Sequence, residues 1–442
     1  MSTPSPKLFR RLTLAHAGLA LALLAGILLR VSFPNDIEYK ADEAFNFNLG
    51  HAAGISQPWP WIGMASGVGV PNPGWSVWVF ILLSRIFYVT TPPQLARAVQ
   101  LANIAALCLL LRFALRWVDR QRREPWLWAF AIACVNPIDV LLQRKIWPQS
   151  LFPPLTMLML MAWWKKEKFA YAFLWGLIGA TLGQIHMAGF FYATAFIVGT
   201  VVLARQKTCW KGWFLGSIVG AIPLIPWLHY LTQHSSALAN SAGRVQWYQE
   251  FSLRFHPLTG RLDGLPLQFW WVWITNSFGL GLDYSLHREI WKFFDGPVLS
   301  GHSTHLVLAL HVVLALLVVI GFGIGARAAF RRSPLTLDHL RDSGNLALVI
   351  ALVGFGVLLS TAPFFIHRHY LLVAFPFPAY AIARLLLASP RFGRSLLVVC
   401  VTSQLLLSAS FLAYIHIHGG APLGDYGVAY GAQAVNTNHR GE

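Results

Sequence analysis

Apolar runs of about 20 residues recur along the chain, separated by short basic or aromatic stretches, as expected of helices that cross about 30 Å of hydrocarbon. They predict spans near 12–32, 95–115, 125–142, 149–164, 169–184, 188–204, 212–231, 304–325, 345–365, 370–388 and 395–415. The runs between 169 and 204 are short and interrupted by GQIHMAG. One further run, WSVWVFILLSRIFYV at 75–89, is set apart, because a crossing there would place every later basic loop on the wrong side. Its fifteen residues give a helix of only about 22 Å with Arg85 inside it, which suits a helix lying in the membrane interface. The expected fold is an all-α polytopic membrane protein, a bundle of about 11 transmembrane helices with external juxtamembrane helices.

Lys and Arg collect on the cytoplasmic side of bacterial-type membrane proteins. The clusters RWVDRQRRE (116–124), KKEK (165–168), RQKTCWK (205–211), RAAFRR (327–332) and RFGR (391–394) should therefore face the cytoplasm with the first eleven residues. Lys7, Arg10 and Arg11 before the first run resemble a secretory signal, yet no small-x-small cleavage pattern follows closely, so the run reads as an uncleaved first span. The expectation is one domain over 1–442 in the cytoplasmic (inner) membrane, with external loops at about 33–94 and 232–303 and an external tail at 416–442. Its N-terminus is then cytoplasmic and its C-terminus extracytoplasmic. Within the second loop, LPLQFWWVWITNSFGLGL should lie on the surface or re-enter the membrane. The tail segment HGGAPLGDYGVAYGAQ reads as a plain surface turn, with contact to an acceptor as the alternative.

Composition agrees: 56% of the 442 residues are hydrophobic and 12% charged, with 19 tryptophans, which places the chain in the membrane class. Three of the four cysteines fall inside apolar runs, so neither a disulfide framework nor a cysteine metal site is indicated. The net charge of +17 suits anionic headgroups of membrane lipids or a phosphate-bearing lipid substrate, and no basic soluble domain exists to hold nucleic acid.

Against this charge, Asp36, Glu38, Asp42 and Glu43 stand within eight positions just after the first span, although the chain has only 17 acidic residues. The same external face should carry Arg144, Lys145, His186, His367, Arg368 and His369, and ionisable residues at membrane depth are costly enough to be functional candidates. Asp42 and Glu43 read either as a solvated helix start or as a catalytic general base taking a proton from an attacking hydroxyl or amine. Arg144, Lys145 and Arg368 read either as snorkelling side chains or as a clamp on donor phosphate. His186 reads as a packed histidine more readily than as a ligand, and HRH (367–369) with HIH (416–418) does not make a zinc site. No HExxH, Walker loop, GxSxG or GxGxxG in its proper context is present.

The ordered motifs DEA (42–44), VPNPGW before the interfacial helix, RKIWPQ, QIH and RHYLLVAFPF resemble the GT-C membrane glycosyltransferases that use polyprenyl-phosphate sugars. That group contains lipid A aminoarabinose transferases and protein O-mannosyltransferases. The resemblance implies a GT-C-like bundle, a catalytic role for Asp42 with Glu43 beside it, and phosphate-binding roles for Arg368 and Lys145. It places Trp147, His186, His369 and Tyr370 around the substrate cavity. Many relatives carry an acidic residue soon after the proline of the second external loop, whereas here Gln149 follows Pro148. No metal ligands are assigned; a divalent metal is compatible, and no other cofactor is implied.

The implied partners are a polyprenyl-phosphate-linked sugar donor and a lipid, glycan or protein acceptor outside the cytoplasm. A lipid phosphate is already a good leaving group, so the protein would need cations for the departing phosphate and a base for the acceptor. Attack opposite the phosphate predicts inversion. The alternatives are a lipid-linked-sugar flippase or transporter, which would also want outward charge and broken helices, and a structural subunit of an envelope polysaccharide complex.

Overall fold

Helices occupy each of the eleven expected spans over the residues that the computed structural model describes, namely 6–65, 70–204, 207–234, 254–256, 261–263, 267–331, 342–361 and 366–438, and the end of the 345–365 span lies outside them. Positions 205–206 and 332 of the basic clusters, 363–365 of the histidine-bearing stretch, and much of the 232–303 loop lie outside these residues. In chain order the longer helices are α1 (Pro6–Val31), α2 (Ala41–Ala52), α3 (Trp75–Ile86), α4 (Pro92–Arg116), α5 (Glu124–Val135) and α6 (Pro137–Leu142). There follow α7 (Phe152–Trp164), α8 (Phe169–Ile185), α9 (Ala188–Ala204), α10 (Trp210–Ala221), α11 (Ile225–Gln233) and α12 (Gln268–Phe278). The remainder are α13 (Leu306–Arg331), α14 (Ser343–Val349), α15 (Phe355–Ser360), α16 (Phe377–Leu387), α17 (Gly393–His418) and α18 (Tyr430–Asn438). The described strands pair only as two-stranded hairpins.

Among the described residues five helices are long and apolar enough to cross a bilayer: Pro92–Arg116, Trp210–Gln233, Leu306–Ala328, Ser343–Ser360 and Gly393–His418. A bent pair, the 3₁₀ turn Arg368–Ala374 and α16, makes a sixth with a 76° bend. The other expected spans are shorter or interrupted, and the interruptions have local causes. Pro137 has no N–H to continue α5, and Asn136 instead opens α6, its Oδ1 accepting from the N–H groups of Ile138 and Asp139. Its Nδ2 donates to the carbonyls of Asn276 and Ser277, which ties the break to the end of α12.

Helix ends buried in apolar surroundings leave carbonyls that need donors. Two arginines answer this need reciprocally. Arg30, at the end of α1, donates to the carbonyls of Ala133 and Cys134 at the end of α5. Arg144, after α6, donates to the carbonyls of Leu29, Arg30, Ser32 and Phe33 at the exit of α1. Elsewhere close packing replaces polar ties. Gly212, Gly216 and Gly220 recur every four residues on α10, and a Cβ at each would collide with the α8 carbonyl of Phe169, Phe173 or Leu177.

The segment around α12 enters the core rather than lying on the surface: Phe269, Trp273 and Phe278 are buried against α15, α16 and the 368–374 turn. Helix α3 packs Val77, Phe80 and Ile81 inward and leaves Leu82 and Ile86 exposed, so it is apolar on both faces.

The basic stretches meet at one end of the bundle. Lys165 lies over the Trp117 ring, the Cys209 N–H donates to the Lys166 carbonyl, and Arg394 pairs with Glu124 at 2.6 Å. Helix α4, 25 residues and about 37 Å long, separates this end from the other, where Arg97 reaches the Val31 carbonyl at the exit of α1.

Candidate active site

The acidic stretch after α1 lies at that second end. Glu43 lies on the first turn of α2, its Oε2 accepting from the Lys40 N–H at 3.0 Å; the acidic pair does start a helix, but Glu43 is buried rather than solvated. Asn46, one turn further, donates to the Ile146 carbonyl and fastens α2 against the 143–147 segment. This brings Lys145 to the carboxylates. Its Nζ sits 2.6 Å from Glu38 Oε2, while Lys40 Nζ holds Glu38 Oε1 at 2.7 Å. The Lys145–Glu38 pair is buried on both sides.

Lys145 also lies over the Trp147 ring, 3.5 Å from its centroid. From there an aromatic wall continues: Trp147 to His369 at 4.9 Å, His369 to His186 at 6.0 Å, and His186 to Tyr370 at 4.8 Å between centroids. Glu43, Lys145, Trp147, His186, His369 and Tyr370, drawn from four separate stretches of sequence, therefore share one neighbourhood. Burial pushes the Glu43 carboxyl up to about 7, the Lys145 ammonium pulls it back, and the nearby Glu38 adds to the rise.

Four buried polar atoms here have no hydrogen-bond partner among the described residues: Glu43 Oε1, Asn46 Oδ1, Trp147 Nε1 and Gln149 Oε1. Buried groups of this kind are normally satisfied, so they mark where a ligand would be held. Asp42 differs from its neighbours. Asp36 meets His416 at 2.7 Å, Glu38 binds two lysines and Glu43 is tied to Lys40. Asp42 is half-buried on the first turn of α2 and makes no hydrogen bond or ion pair among the described residues.

The expected phosphate clamp is divided. Arg144 is the correction: its guanidinium is committed to the four carbonyls at the exit of α1, which leaves it a structural cap. Arg368 turns away from its neighbour His369 into an adjoining cavity of about 20 Å³, room for a single water. There its Nη2 pairs with Asp283 Oδ1 at 2.6 Å, and a Cβ at Gly281 would overlap Nη1, so only glycine admits this arginine. Asp139, Asn136 and Asn276 line the same cavity. Among the described residues no group of three or more His, Cys, Asp or Glu side chains is placed to hold a metal ion.

Two contributors escaped the sequence reading. Asp139 was legible in principle, as a lone acid within an apolar run. The tail after α17 was not. It folds back as the hairpin Gly420–Ala421 with Gly427–Val428, and Tyr430 N–H and Gly431 N–H donate to the carbonyls of Ile37 and Asn35. Asp425 pairs with Lys40 at 3.3 Å, and Tyr426 is buried with its hydroxyl donating to the Asp36 carbonyl. The plain surface turn expected for this segment is thus a cover over the acidic stretch.

Neither a protein-family model nor a curated protein sequence matches the chain. In fold it is similar to the Archaeoglobus fulgidus oligosaccharyltransferase in its apo form, at 15% identity and a TM-score of 0.43, covering 94% of this chain and 56% of that one. It is similar also to the archaeal oligosaccharyltransferase AglB from Archaeoglobus fulgidus, in complex with an inhibitory peptide and a dolichol-phosphate. That match has 14% identity and a TM-score of 0.47, covering 91% of this chain and 56% of that one. A third similar structure is ArnT from Cupriavidus metallidurans bound to undecaprenyl phosphate, at 12% identity and a TM-score of 0.39, covering 90% and 78%. The chain thus spans just over half the length of the two archaeal structures. At these values the likeness carries no residue-by-residue correspondence.

Proposed function

We propose that the chain is a membrane glycosyltransferase that moves a sugar from a polyprenyl-phosphate-linked donor to an extracytoplasmic acceptor, with Asp42 as general base. The observation that carries this reading is the division of labour among the four clustered carboxylates. Three are committed to cations or backbone, whereas Asp42, half-buried on the first turn of α2 next to Glu43, makes no hydrogen bond or ion pair among the described residues.

In the proposed reaction Asp42 takes the proton of the acceptor nucleophile, whose lone pair attacks the anomeric carbon. The bond from that carbon to the phosphate oxygen breaks with its electron pair, leaving polyprenyl phosphate and an inverted sugar linkage. Arg368 would exchange Asp283 for a phosphate oxygen, its planar fork matching that geometry, and the single-water cavity it lines would have to open to admit the group. Lys145, deeper and held by Glu38, supplies a fixed positive field for the departing charge. Trp147, His186, His369 and Tyr370 provide faces against which a sugar ring can lie.

The test is Asp42→Asn in purified protein supplied with a radiolabelled polyprenyl-phosphate sugar. Release of free polyprenyl phosphate should fall by at least about 10²-fold while the protein remains folded. Unchanged release removes the proposed base, and donor that crosses a vesicle membrane uncleaved would make the chain a transporter.

A further inference from the structure

The basic end of the bundle holds a second, larger cavity of about 420 Å³, enclosed by the ends of α4, α5, α7, α14 and α16. Nothing in the proposed transfer uses it. Its walls are aromatic: Trp126 stacks on Tyr380 at 3.9 Å between centroids and meets Trp164 edge-on at 6.0 Å, with Trp117 beside them. Its polar groups are Arg122, Arg384, Asp342 and Asn345, with Asp119 exposed at the rim.

The charges in this cavity are unequally committed. Asp342 is fully engaged, its Oδ1 accepting from the Gly344 and Asn345 N–H groups at 2.9 and 3.0 Å and its Oδ2 pairing with Arg122. Arg384 is not. Its recorded contacts are with Tyr380, whose hydroxyl lies 3.5 Å from Nη1, and no carboxylate pairs with it among the described residues. Other arginines treated above have acceptors: carbonyls for Arg30 and Arg144, Asp283 for Arg368, Glu124 for Arg394. A half-buried guanidinium with donors facing an open cavity is suited to an anion, and its planar fork to phosphate. Lys165, over the neighbouring Trp117 ring, adds positive charge at the edge.

We infer that this cavity binds a phosphate ester through Arg384, and that the ester is the headgroup of an anionic phospholipid. Three features favour a lipid over a free phosphate. The cavity lies where helices end among basic loops, the level at which headgroups meet a membrane protein. It is several times larger than a bare phosphate. Its tryptophan walls accept the glycerol and first methylenes, while Asp119 can accept from a headgroup hydroxyl. The site lies at the opposite end of α4 from the carboxylate network, so it stands independently of the proposed transfer reaction.

The test uses the purified full chain with phosphatidylglycerol, phosphatidylcholine and, as the soluble arm, glycerol phosphate, read by native mass spectrometry. Phosphatidylglycerol should be retained at least tenfold more than phosphatidylcholine, and Arg384→Met should lower that retention at least tenfold. Arg394→Met, at the same end but with its guanidinium engaged by Glu124, should retain the lipid as the parent does. Asn345→Asp, which adds a negative charge to the cavity wall, should also weaken retention tenfold and serves if Arg384→Met does not fold. Retention unaffected by Arg384→Met and Asn345→Asp, or reduced equally by Arg394→Met, overturns the inference. Glycerol phosphate binding that depends on Arg384 while lipid retention does not would keep the phosphate site but overturn its assignment to a lipid.

Discussion

The two ends of the bundle handle charge in opposite ways. At the acidic end the Lys145–Glu38 pair has side-chain exposures of 4% and 1%; at the basic end Arg394 and Glu124 have 76% and 41%. A pair in water contributes little and can be lost cheaply, whereas a buried pair has been desolvated at a cost of several kcal/mol per ion. Charges held in that expensive condition, beside orphaned polar atoms and an aromatic wall, are where a ligand has most to gain. The exposed pairs orient helices among headgroups.

The contrast can be broken most severely at Lys145. Lys145→Met leaves Glu38 buried with one lysine instead of two and should destabilise the protein by about 3–5 kcal/mol, read as a lower unfolding midpoint in detergent. Adding Glu38→Gln should recover part of the loss; a double variant no better than the single one would mean the pair is not a unit.

Glu43 gives the next effect. Burial pushes its carboxyl up to about 7 in the fold from an ordinary value of about 4.5. The stability it contributes is therefore fully present below about pH 4.5 and is lost as the pH rises through 7, about 3 kcal/mol in all by the shift. Glu43→Gln should flatten that decline between pH 5 and 8. If the parent falls no more steeply than the variant over this range, the carboxyl is not in a desolvated site.

The smallest effect belongs to the basic end: Arg394→Ala should cost less than about 1 kcal/mol, the usual worth of an exposed pair. A loss comparable to that of Lys145→Met would erase the distinction between the ends.

Much of the fold was legible because its signals are local. Apolar runs became helices and DEA proved to be the first turn of α2, whereas the break at Asn136–Pro137 divides a run expected as one span over 125–142. The neighbourhood of Lys145, Trp147, His186, His369 and Tyr370 was expected from the resemblance of their short motifs, and the structure brings these side chains together. What escaped was set by pairing at a distance. Nothing around Arg144 distinguishes a phosphate ligand from a cap for a helix 111 to 115 residues earlier. The burial of α12 depends on the gap between α15 and α16, and the docking of 419–433 on backbone edges left open at 35–39. Such partners exist only in three dimensions.

That docking has a consequence for the order of assembly. Tyr426 meets Asp36 across 390 positions of chain, and Gln433 meets Tyr39 across 394. Every intervening helix must be synthesised and inserted before these bonds can form, so the carboxylates wait through membrane integration without their cover. Closure of the acidic stretch is thus coupled to the arrival of a distant stretch of backbone, and a nascent chain halted before it leaves that stretch uncovered.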